Sequence, residues 1–306
     1  MPDWTDDAWR AGVLAWLRDE LHDLGDELTS APDQFHLRPW STIWRVATRR
    51  GTMYLKAVPV HLAHEVRLTQ WLSERFPERV ARVLAADPAR GLLLLRDGGA
   101  RLRDVGTDLR GWCRVASEYA ALQLLAGPGV AELLAHSVPD RRLALLPGAL
   151  ASALDEREGD LVARYAARCA ALSSVGLPDT VQMDDLHDGN VLLDGGRPRF
   201  FDWGDASIAQ PFFSLPMLLG TAAERLGLSV DGPEVARIRD AYLERFSGLA
   251  PLPALRDAAA LAAQVVPTVR ILAWQLAHLG TTPAEQDGEW GETLAELIEQ
   301  QRAALA

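Results

Sequence analysis

The sequence predicts an α+β fold with two lobes, in which a small antiparallel-sheet lobe precedes a larger and mostly helical lobe. Two observations favour this fold class. Strand patterns bounded by Gly and Pro turns concentrate before residue 97, whereas helical periodicity dominates from Val105 onward. A single strand pair near Val191 then interrupts the helical part. We therefore expect the lobes to comprise residues 1–97 and residues 98–306.

Composition limits the classes of function. The chain has 306 residues, which suffices for a sizeable core in one large or two small domains. A net charge of −11 argues against a nucleic-acid partner, which requires a basic stripe, and disfavours anionic membranes. No apolar run approaches a membrane span, and the acidic N-terminus lacks a signal-peptide core. We therefore expect a cytoplasmic protein without a membrane partner; monomer and dimer both stay open.

The elements of the first lobe follow from periodicity. Thr5 is the expected cap of a first helix that ends near Gly25 and presents one apolar face, formed by Trp9, Val13, Trp16, Leu17 and Leu21. Strands are predicted at 35–48 and 52–58, separated by a basic turn, and two more at 80–86 and 91–95. Arg96-Asp97-Gly98-Gly99 then breaks the strand pattern.

Lys56 places one charge inside the apolar strand YLKAV. A buried ammonium group without a partner is costly, so this strand requires a nearby acid. The next predicted helix, residues 62–76, supplies Glu65 on the face that also carries Leu62, Thr69, Leu72 and Phe76. We expect an ion pair between Lys56 and Glu65. The alternative is a surface lysine and a solvated glutamate.

The second lobe is predicted from helical periodicity. Helices are expected at 109–125, 150–172 (one or two), 211–226, 233–246, 255–279 with a kink at Pro267, and 289–305. The two cysteines, Cys113 and Cys169, fall in these patterns and are too few for a disulfide framework. We expect both to be buried, reduced thiols.

Residues 181–211 carry the most informative pattern. Two apolar runs, VLL and RFF, flank DGGRP, which predicts a hairpin with a five-residue loop centred on Gly196. In that register Asn190 faces Asp202, and an amide oxygen beside a carboxylate suits Mg²⁺. Asp185, on the loop that enters the hairpin, is placed to receive a hydroxyl proton beside the metal. These are the parts of a phosphoryl-transfer site.

The sequence DLHDGN, from Asp185 to Asn190, resembles the catalytic loop of the aminoglycoside phosphotransferase family, and Phe201-Asp202-Trp203 resembles its metal-binding segment. The resemblance implies a bilobal protein-kinase-like fold and ATP-dependent phosphorylation of a small-molecule hydroxyl group. The family usually carries His-Gly ahead of the catalytic aspartate, whereas this chain has Met183-Asp184. The missing histidine normally braces the loop, and its absence leaves the base and the ligands in place.

The resemblance assigns roles within this site. It implies that Asp185 is the catalytic base, and that Asn190 and Asp202 hold Mg²⁺ against the phosphates of ATP. Lys56, oriented by Glu65, would position those phosphates. Most of the rate gain would then come from positioning and from charge neutralisation.

The residues that would contact the nucleotide are less clearly indicated by the sequence than the catalytic loop. A kinase carries a phosphate-covering loop in its first strand pair, but residues 38–42 read RPWST and contain no Gly-rich motif. Ser41 and Thr42 are candidates to contact the phosphates, with plain turn residues as the alternative. Leu95, Arg96 and Asp97 are candidates, by position alone, for the hinge that meets the adenine ring in the family.

Four further polar residues around the catalytic loop have weaker assignments. His187 is predicted to brace the loop rather than to act as a second base. Asp205 either reaches the metal through water or caps the following turn. Asp184 and Asp188 are expected to be solvated loop acids.

Two rival functions are a protein kinase and a nucleotide-binding pseudokinase or ligand-binding protein without turnover. The helical part lacks an A-P-E element and an activation loop of usual length, which argues against the protein kinase. Met183 and the absent Gly-rich loop motivate the second rival. Against it stands the joint presence of Asp185, Asn190, Asp202 and Lys56.

The acceptor is predicted from charge. Acidic residues crowd the catalytic segment, and the C-terminal region adds Glu285, Asp287, Glu289, Glu292 and Glu296. A cleft of one sign concentrates ligands of the opposite sign. We therefore expect a hydroxyl-bearing, amine-rich acceptor such as an aminoglycoside-like antibiotic or an amino sugar. The alternative is a solvated acidic surface and a neutral acceptor.

Overall fold

A five-stranded antiparallel sheet forms the N-terminal part of the fold. The computed structural model describes residues 3–154, 158–279, 281 and 289–305, leaving aside the side chains of 289–293. The strands are β1 (Asp33–Arg38), β2 (Ser41–Thr48), β3 (Gly51–Ala57), β4 (Val83–Asp87) and β5 (Leu92–Arg96). Their order across the sheet is β1-β2-β3-β5-β4, and every neighbouring pair is antiparallel.

Helix α1 (Asp7–Asp23) covers the outer face of this sheet. Its cap is Asp6 rather than the predicted Thr5, because the Asp6 carboxylate accepts the Trp9 N–H at 2.7 Å. The Thr5 hydroxyl instead donates to Asp3. A carboxylate also interacts favourably with the positive end of the helix dipole, which a hydroxyl does not match. The apolar face is confirmed where it is buried, at Val13, Leu17 and Leu21.

The two faces of the sheet contact different parts of the protein. Since side chains alternate along a strand, one face carries an apolar row that packs on α1, formed by Trp44, Leu55 and Leu94. The neighbouring row on the other face comprises Ile43, Lys56 and Leu93, which are cross-strand neighbours. All three line a cleft between the sheet and the helical region. Lys56 is therefore the charged member of an otherwise apolar row.

The predicted long strand at 35–48 is wrong, since it is the hairpin of β1 and β2. The chain reverses at Pro39-Trp40, and Arg38 pairs with Ser41 across this turn. β1 is mostly exposed at the sheet edge, so its residues do not show the regular burial that would have separated it from β2.

Helices dominate after the sheet, as predicted. Helix α2 (His64–Arg75) lies between β3 and β4; the others are α3 (Leu102–Val105), α4 (Leu109–Ala126), α5 (Val130–Ala135), α6 (Leu146–Ala153), α7 (Gly159–Ser173), α8 (Leu215–Leu226), α9 (Pro233–Leu243), α10 (Leu252–Ala277) and α11 (Glu289–Ala304). Short strands are β6 (Ala100–Arg101), β7 (Thr180–Gln182), β8 (Val191–Asp194), β9 (Arg197–Phe200) and β10 (Ser207–Ala209). The predicted α+β fold is confirmed, whereas the lobe boundary at residue 97 stays a prediction.

The core of the helical region is rich in aromatic side chains. Each of the largest is at most 1% exposed, as for Trp112, Tyr119, Tyr165, Phe212 and Tyr242. Such side chains bury about 150–250 Å² each, so they dominate the apolar contribution to stability. Cys169 belongs to this core and Cys113 is only half-buried; both thiols are free. The prediction of two buried cysteines is thus wrong for Cys113.

Helix α10 is long and apolar enough, by length and composition, to cross a membrane. This differs from the sequence-based expectation that no run approaches that length. Half of its most apolar window is buried inside the protein. The helix continues through Pro267 and belongs to the helical core. A buried core helix passes the same length and composition test.

The hairpin of β8 and β9 differs by one residue from its predicted register. Val191 pairs with Phe200 and Asp194 with Arg197, so the loop is the two-residue turn Gly195-Gly196. Both glycines have positive φ, at 55° and 80°, as the favoured two-residue hairpin turns require. The prediction placed Pro198 in the loop, but Pro198 belongs to β9 and pairs with Leu193 of β8. A slip of one residue moves each side chain to the other face, so Asn190 does not face Asp202.

Candidate active site

A cleft of about 670 Å³ lies between the sheet and the helical region. It brings together most residues predicted for the site: Ser41, Lys56, Glu65, Leu95, Asp97, Asp185, Asn190 and Asp202 all line it. Their elements are distant in sequence, from β2 to the segment after β9. Thr42 is the exception, because its hydroxyl donates to the His36 carbonyl at 2.9 Å within the β1–β2 hairpin. Neighbours in a strand face opposite sides, so the Thr42 side chain faces away from the side of Ser41, and its phosphate contact stays a prediction.

Lys56 lies between two carboxylates. Its Nζ is 2.6 Å from Glu65 Oε1 and 2.7 Å from Asp202 Oδ1. Burial works against the ammonium group, but Asp202 and Glu65 raise the pKa of Lys56 above its ordinary value. Burial raises the pKa of Glu65, and the Lys56 charge opposes that rise. The structure thus has the Lys56–Glu65 pair that the helix face indicated, and adds Asp202 to it.

Asp202 has a backbone conformation that is rare for a residue with a side chain. Its φ is 65°, in the left-handed region. The preceding Phe201 donates its N–H to the Asn190 carbonyl at 3.2 Å, so the ladder of the hairpin ends there. The left-handed turn at Asp202 lets the carboxylate reach Lys56. Strained conformations of this kind cluster at functional sites, and a periodic sequence pattern cannot reveal them.

The catalytic loop holds Asp185 through side chains of the same loop. The Asn190 amide nitrogen donates to the Asp185 carbonyl at 2.9 Å and lies 3.4 Å from Asp185 Oδ2. His187 Nε2 lies 3.1 Å from the same Oδ2. The Gly189 N–H points at His187 Nδ1 at 2.8 Å, so Nδ1 accepts and Nε2 carries the proton given to Asp185. This geometry matches the predicted bracing role of His187.

Asp188 is buried, although a solvated acid was expected. It is 2% exposed, and its oxygens form ion pairs with Arg103 and Arg225. Arg103 also lies 3.1 Å from His187 Nδ1, so one guanidinium group supports both loop side chains. A Cβ at Gly189 would overlap this guanidinium group, so the Arg103 side chain would have to move to accommodate one. The two arginines were missed because their ion pairs join helices far apart in sequence.

Met183 occupies the position at which the family usually has a bracing histidine. Its side chain is fully buried, and its N–H donates to the Tyr119 hydroxyl at 2.7 Å. Ser214 Oγ lies 3.2 Å from the same N–H and 3.0 Å from the Tyr119 oxygen. These buried hydrogen bonds fix the backbone that enters the loop, so the brace comes from Tyr119 and Ser214.

Two further acids lie beside Asp185. Asp184 is 4% exposed and Oδ1 lacks a hydrogen-bond partner within the described chain, so the expectation of a solvated acid is wrong. Burial raises the pKa of Asp184 to about 7, while Arg270 and Arg141 oppose the rise. Burial, together with the charges of Asp185 and Asp202, raises the pKa of Asp205 to about 6.

His64 links helix α2 to the segment after Asp202. Its Nε2 lies 3.0 Å from the Gly204 carbonyl oxygen, to which the ring N–H donates. Burial lowers the pKa of His64 to about 4, so the ring is neutral at pH 7. This contact could not be predicted from the sequence, because His64 and Gly204 lie 140 residues apart in the chain.

The cleft carries both signs of charge. Its acids are Glu65, Asp97, Asp104, Asp184, Asp185, Asp202 and Asp205, and its bases are Arg38, Arg45, Lys56, Arg96, Arg101, Arg103, Arg141 and Arg270. Of the C-terminal acids, Glu296 is exposed and does not line the cleft. Glu285 and Asp287, with the side chains of Glu289 and Glu292, lie outside the described residues. The expected cleft of one sign is therefore wrong.

A model of the phosphotransferase enzyme family matches residues 38–261 of this chain. The chain belongs to the phosphotransferase enzyme family. The match confirms the resemblance identified from the catalytic loop. Members act as phosphotransferases on hydroxyl groups of small molecules, and kinases of this type use ATP and a divalent metal. Among curated proteins, none matches this sequence at a significant level.

Solved structures show the same fold at low sequence identity. A choline/ethanolamine kinase family protein from Mesorhizobium loti has a TM-score of 0.65 and 17% identity, covering 95% of this chain and 94% of that one. The macrolide 2′-phosphotransferase MphH from Brachybacterium faecium has a TM-score of 0.60 and 18% identity, covering 92% and 97%. The amicoumacin kinase hAmiN, in complex with AMP-PNP and Ca²⁺, has a TM-score of 0.52 and 12% identity, covering 89% and 88%.

Proposed function

We propose that this phosphotransferase transfers the γ-phosphoryl group of ATP to a hydroxyl group of a small acceptor, with Asp185 as the base and a Mg²⁺ ion at Asn190 and Asp202. The observation that carries the proposal is the placement of Lys56, between Glu65 and Asp202, in the same cleft as the Asp185 loop. A lysine oriented by a helix glutamate beside a metal-binding aspartate is the arrangement that kinases use to hold phosphates.

The oxygen donors fit a magnesium ion. The Asn190 amide nitrogen is bonded to Asp185, which leaves the amide oxygen as the donor toward the cleft. Asp202 Oδ1 accepts from Lys56, which leaves Oδ2. Mg²⁺ commonly takes one or two protein oxygens and completes its shell with phosphates and water, and it would neutralise charge on the phosphates. Within the described residues no group of three His, Cys, Asp or Glu side chains forms a metal site, which agrees with such a sparse donor set.

Asp185 is the residue we assign to the acceptor proton. Its Oδ2 is occupied by His187 and Asn190, so Oδ1 is the atom left to receive a hydroxyl proton. The bracing contacts hold the carboxylate in one orientation, which gives the positioning that phosphoryl transfer depends on. Removing a general base typically costs a factor of about 10²–10⁴ in rate.

The nucleotide is placed along the sheet side of the cleft. Ile43, Leu95 and Leu192 supply apolar contacts there for an adenine ring, and Asp97 lies at the end of β5. Asp97 Oδ1 accepts the Gly99 N–H at 3.0 Å, which turns the chain out of the sheet. Ser41 is the candidate for a phosphate contact that lines the cleft. The predicted hinge and phosphate roles of these residues stay proposals.

The acceptor is proposed to carry an amine beside its hydroxyl group. Asp184 and Asp205 lie close to Asp185 and have raised pKa values, and a bound ammonium group would relieve the cost of their ionisation. An aminoglycoside-like antibiotic or an amino sugar has this chemistry, and a role in antibiotic resistance would follow from the former. ATP as co-substrate agrees with a cytoplasmic location. The alternative function is a pseudokinase that binds nucleotide without turnover.

The test is ADP formation from ATP in the presence of an acceptor panel. The panel comprises aminoglycosides, amino sugars, small amino alcohols, neutral sugars and neutral alcohols, each with and without Mg²⁺. We expect Mg²⁺-dependent ADP formation that requires an amine-bearing acceptor. Nucleotide binding without ADP formation for any acceptor would support the pseudokinase. Turnover of neutral acceptors alone would contradict the amine assignment.

A further inference from the structure

The acceptor side of the cleft holds a buried cation with incomplete hydrogen bonding. Arg141 is 4% exposed and lines the cleft, and its Nη1 has no hydrogen-bond partner in the described part of the chain. Burial removes water from a guanidinium group, and an unreplaced hydrogen bond then costs free energy. A buried polar group of this kind requires an explanation, and a ligand that completes its hydrogen bonds is one.

The neighbours of Arg141 show why it is directed inward. Asp140, Arg141 and Arg142 are consecutive charged residues. Arg142 donates to both carboxylate oxygens of Asp140, at 2.8 and 2.7 Å, so these two residues pair with each other and leave Arg141 between them. The Arg141 N–H donates to the Ile208 carbonyl at 2.9 Å, which fixes the backbone beside β10. The Arg141 side chain is consequently held between the surface pair and the cleft, and no acid in the described ranges accepts a hydrogen bond from it.

A second arginine faces the same space from helix α10. Arg270 lies three, four and seven residues before Ala273, Trp274 and Ala277, which share one face of the helix and also line the cleft. Over the described ranges, neither a hydrogen bond nor an ion pair within 4.0 Å is made by its side chain. Arg141 and Arg270 therefore line one cleft, and the charges of both act on Asp184.

Asp184 supplies the opposite charge in this subsite. It is buried, its Oδ1 is unpartnered in the described structure, and Arg270 and Arg141 are the cations that act on it. With Asp205 the subsite holds two acids and two bases and is close to neutral. A singly charged anion is therefore better matched to it than a phosphate dianion, which would bring excess negative charge toward Asp184.

We propose that Arg141 and Arg270 bind a carboxylate group of the acceptor, so that the acceptor is a hydroxyl compound carrying both an amine and a carboxylate. This inference rests on the proposed function, because it concerns the acceptor of the same transfer. The planar guanidinium fork matches a carboxylate through two parallel N–H···O bonds, and both arginines line the cleft in which this carboxylate would lie. The amine donates to the Asp184 carboxylate, which lines the same cleft. This narrows the acceptor class proposed above, because an aminoglycoside without a carboxylate would leave both arginines unpaired.

The experiment uses probes that are matched except for the carboxylate. L-homoserine is compared with 3-aminopropan-1-ol, and L-serine with 2-aminoethanol. Calorimetry measures their binding to the protein saturated with AMP-PNP and Mg²⁺, and ADP release measures their phosphorylation. We expect at least one carboxylate probe to bind about tenfold or more tightly than its partner, since hydrogen bonds to charged groups are each worth about 10- to 150-fold. Equal binding within both pairs, or no binding of either carboxylate probe, overturns the proposal.

Variants assign the preference to the two arginines. Arg141→Met and Arg270→Met should each remove the preference for the carboxylate probe, whereas Arg142→Met, the exposed neighbour, should keep it. Arg141→Lys retains the charge without the fork, so it should fold and still lose about tenfold in carboxylate affinity. An unchanged preference in Arg141→Lys and Arg270→Met overturns the assignment.

The two proposals fail in different ways. Phosphorylation of carboxylate-free amino alcohols alone overturns the carboxylate site and leaves the proposed phosphoryl transfer in place. Arginine-dependent binding of a carboxylate probe, without phosphorylation of any acceptor, supports the site and counts against the proposed transfer.

Discussion

The proposed nucleotide side and the proposed acceptor side of the cleft differ in how their buried charges are compensated. Lys56 is 9% exposed and contacts two carboxylates at 2.6 and 2.7 Å. Arg141 and Asp184, each 4% exposed, both have a polar atom without a partner among the residues described. The triphosphate is a constant ligand, so the chain can supply the compensating charges itself. The acceptor differs between enzymes, and we infer that part of the compensation here arrives with it.

The largest expected effect is on metal-dependent nucleotide binding. Asp202→Ala should remove the Mg²⁺-dependent gain in ATP affinity, because it deletes the proposed carboxylate ligand; loss of a supporting ligand contact alone already costs about 10–100-fold. Calorimetric titration of AMP-PNP with and without Mg²⁺ checks this. Asp194→Ala, which removes an exposed hairpin acid paired with Arg199, is the matched control. An identical Mg²⁺ dependence in wild type and Asp202→Ala would show that the cation is bound elsewhere.

The second prediction compares the two buried cations directly. Lys56→Met leaves Glu65 as an uncompensated buried acid and should lower the free energy of unfolding by about 2–4 kcal/mol. Arg141→Met removes a cation that no hydrogen bond supports, so the change should stay below about 1 kcal/mol in the ligand-free protein. Denaturant unfolding of both variants measures the difference. Equal destabilisation by the two substitutions would contradict the inference that only Lys56 is compensated within the protein.

The third prediction concerns the loop that lies between the two sides. Arg103 supports His187 at 3.1 Å and the buried Asp188 at 3.4 Å. Arg103→Met should lower kcat about tenfold through a misoriented Asp185, with little change in ATP affinity. Arg103→Lys should recover part of the loss, and Arg110→Met, an exposed arginine on α4, should behave as wild type. If Arg103→Met weakens ATP binding and leaves kcat intact, the residue belongs to the nucleotide side instead.

The smallest expected effect is a pH dependence of stability from His64. Its pKa is lowered to about 4 by burial, so between pH 6.5 and 4 the His64 ring binds fewer protons in the folded protein than in the unfolded chain. The contribution of His64 to the free energy of unfolding therefore falls as the pH is lowered through this window, by about 1 kcal/mol at pH 6. His64→Gln keeps a donor for the Gly204 carbonyl but does not titrate, so its unfolding should depend less on pH. The exposed His22→Gln serves as control, and equal pH slopes in all three proteins would exclude the effect.

The same contrast explains what could be predicted from the sequence. A lysine in an apolar strand requires a partner, and the helix face identified Glu65 as that partner. The catalytic loop is contiguous, so the spacing of Asp185 and Asn190 is visible in the chain. Local chemistry of this kind, together with the alternation of strands and helices, was sufficient for the fold class.

The remaining features depend on contacts that no local pattern encodes. The predicted hairpin register was wrong by one residue, because the sequence DGGRP permits both a two-residue and a five-residue loop. From the sequence, Asp188 and Asp184 were expected to be solvated. In the fold, Arg225 lies beside Asp188, and Arg141 acts on Asp184; both arginines belong to distant segments of the chain. The number of acidic residues in the sequence also does not show that arginines from other segments line the same cleft.

We propose that Asp185 acts on the acceptor proton in a site in which Lys56, Glu65 and Asp202 already compensate one another's charges. Asp185→Asn in the whole chain is the direct measurement, with ADP formation and calorimetric AMP-PNP binding recorded on the same preparation. The account predicts that turnover falls by about 10²–10⁴-fold, while the affinity for AMP-PNP with Mg²⁺ stays close to that of wild type. Turnover near the wild-type rate in Asp185→Asn, with any acceptor that the wild type phosphorylates, would contradict it.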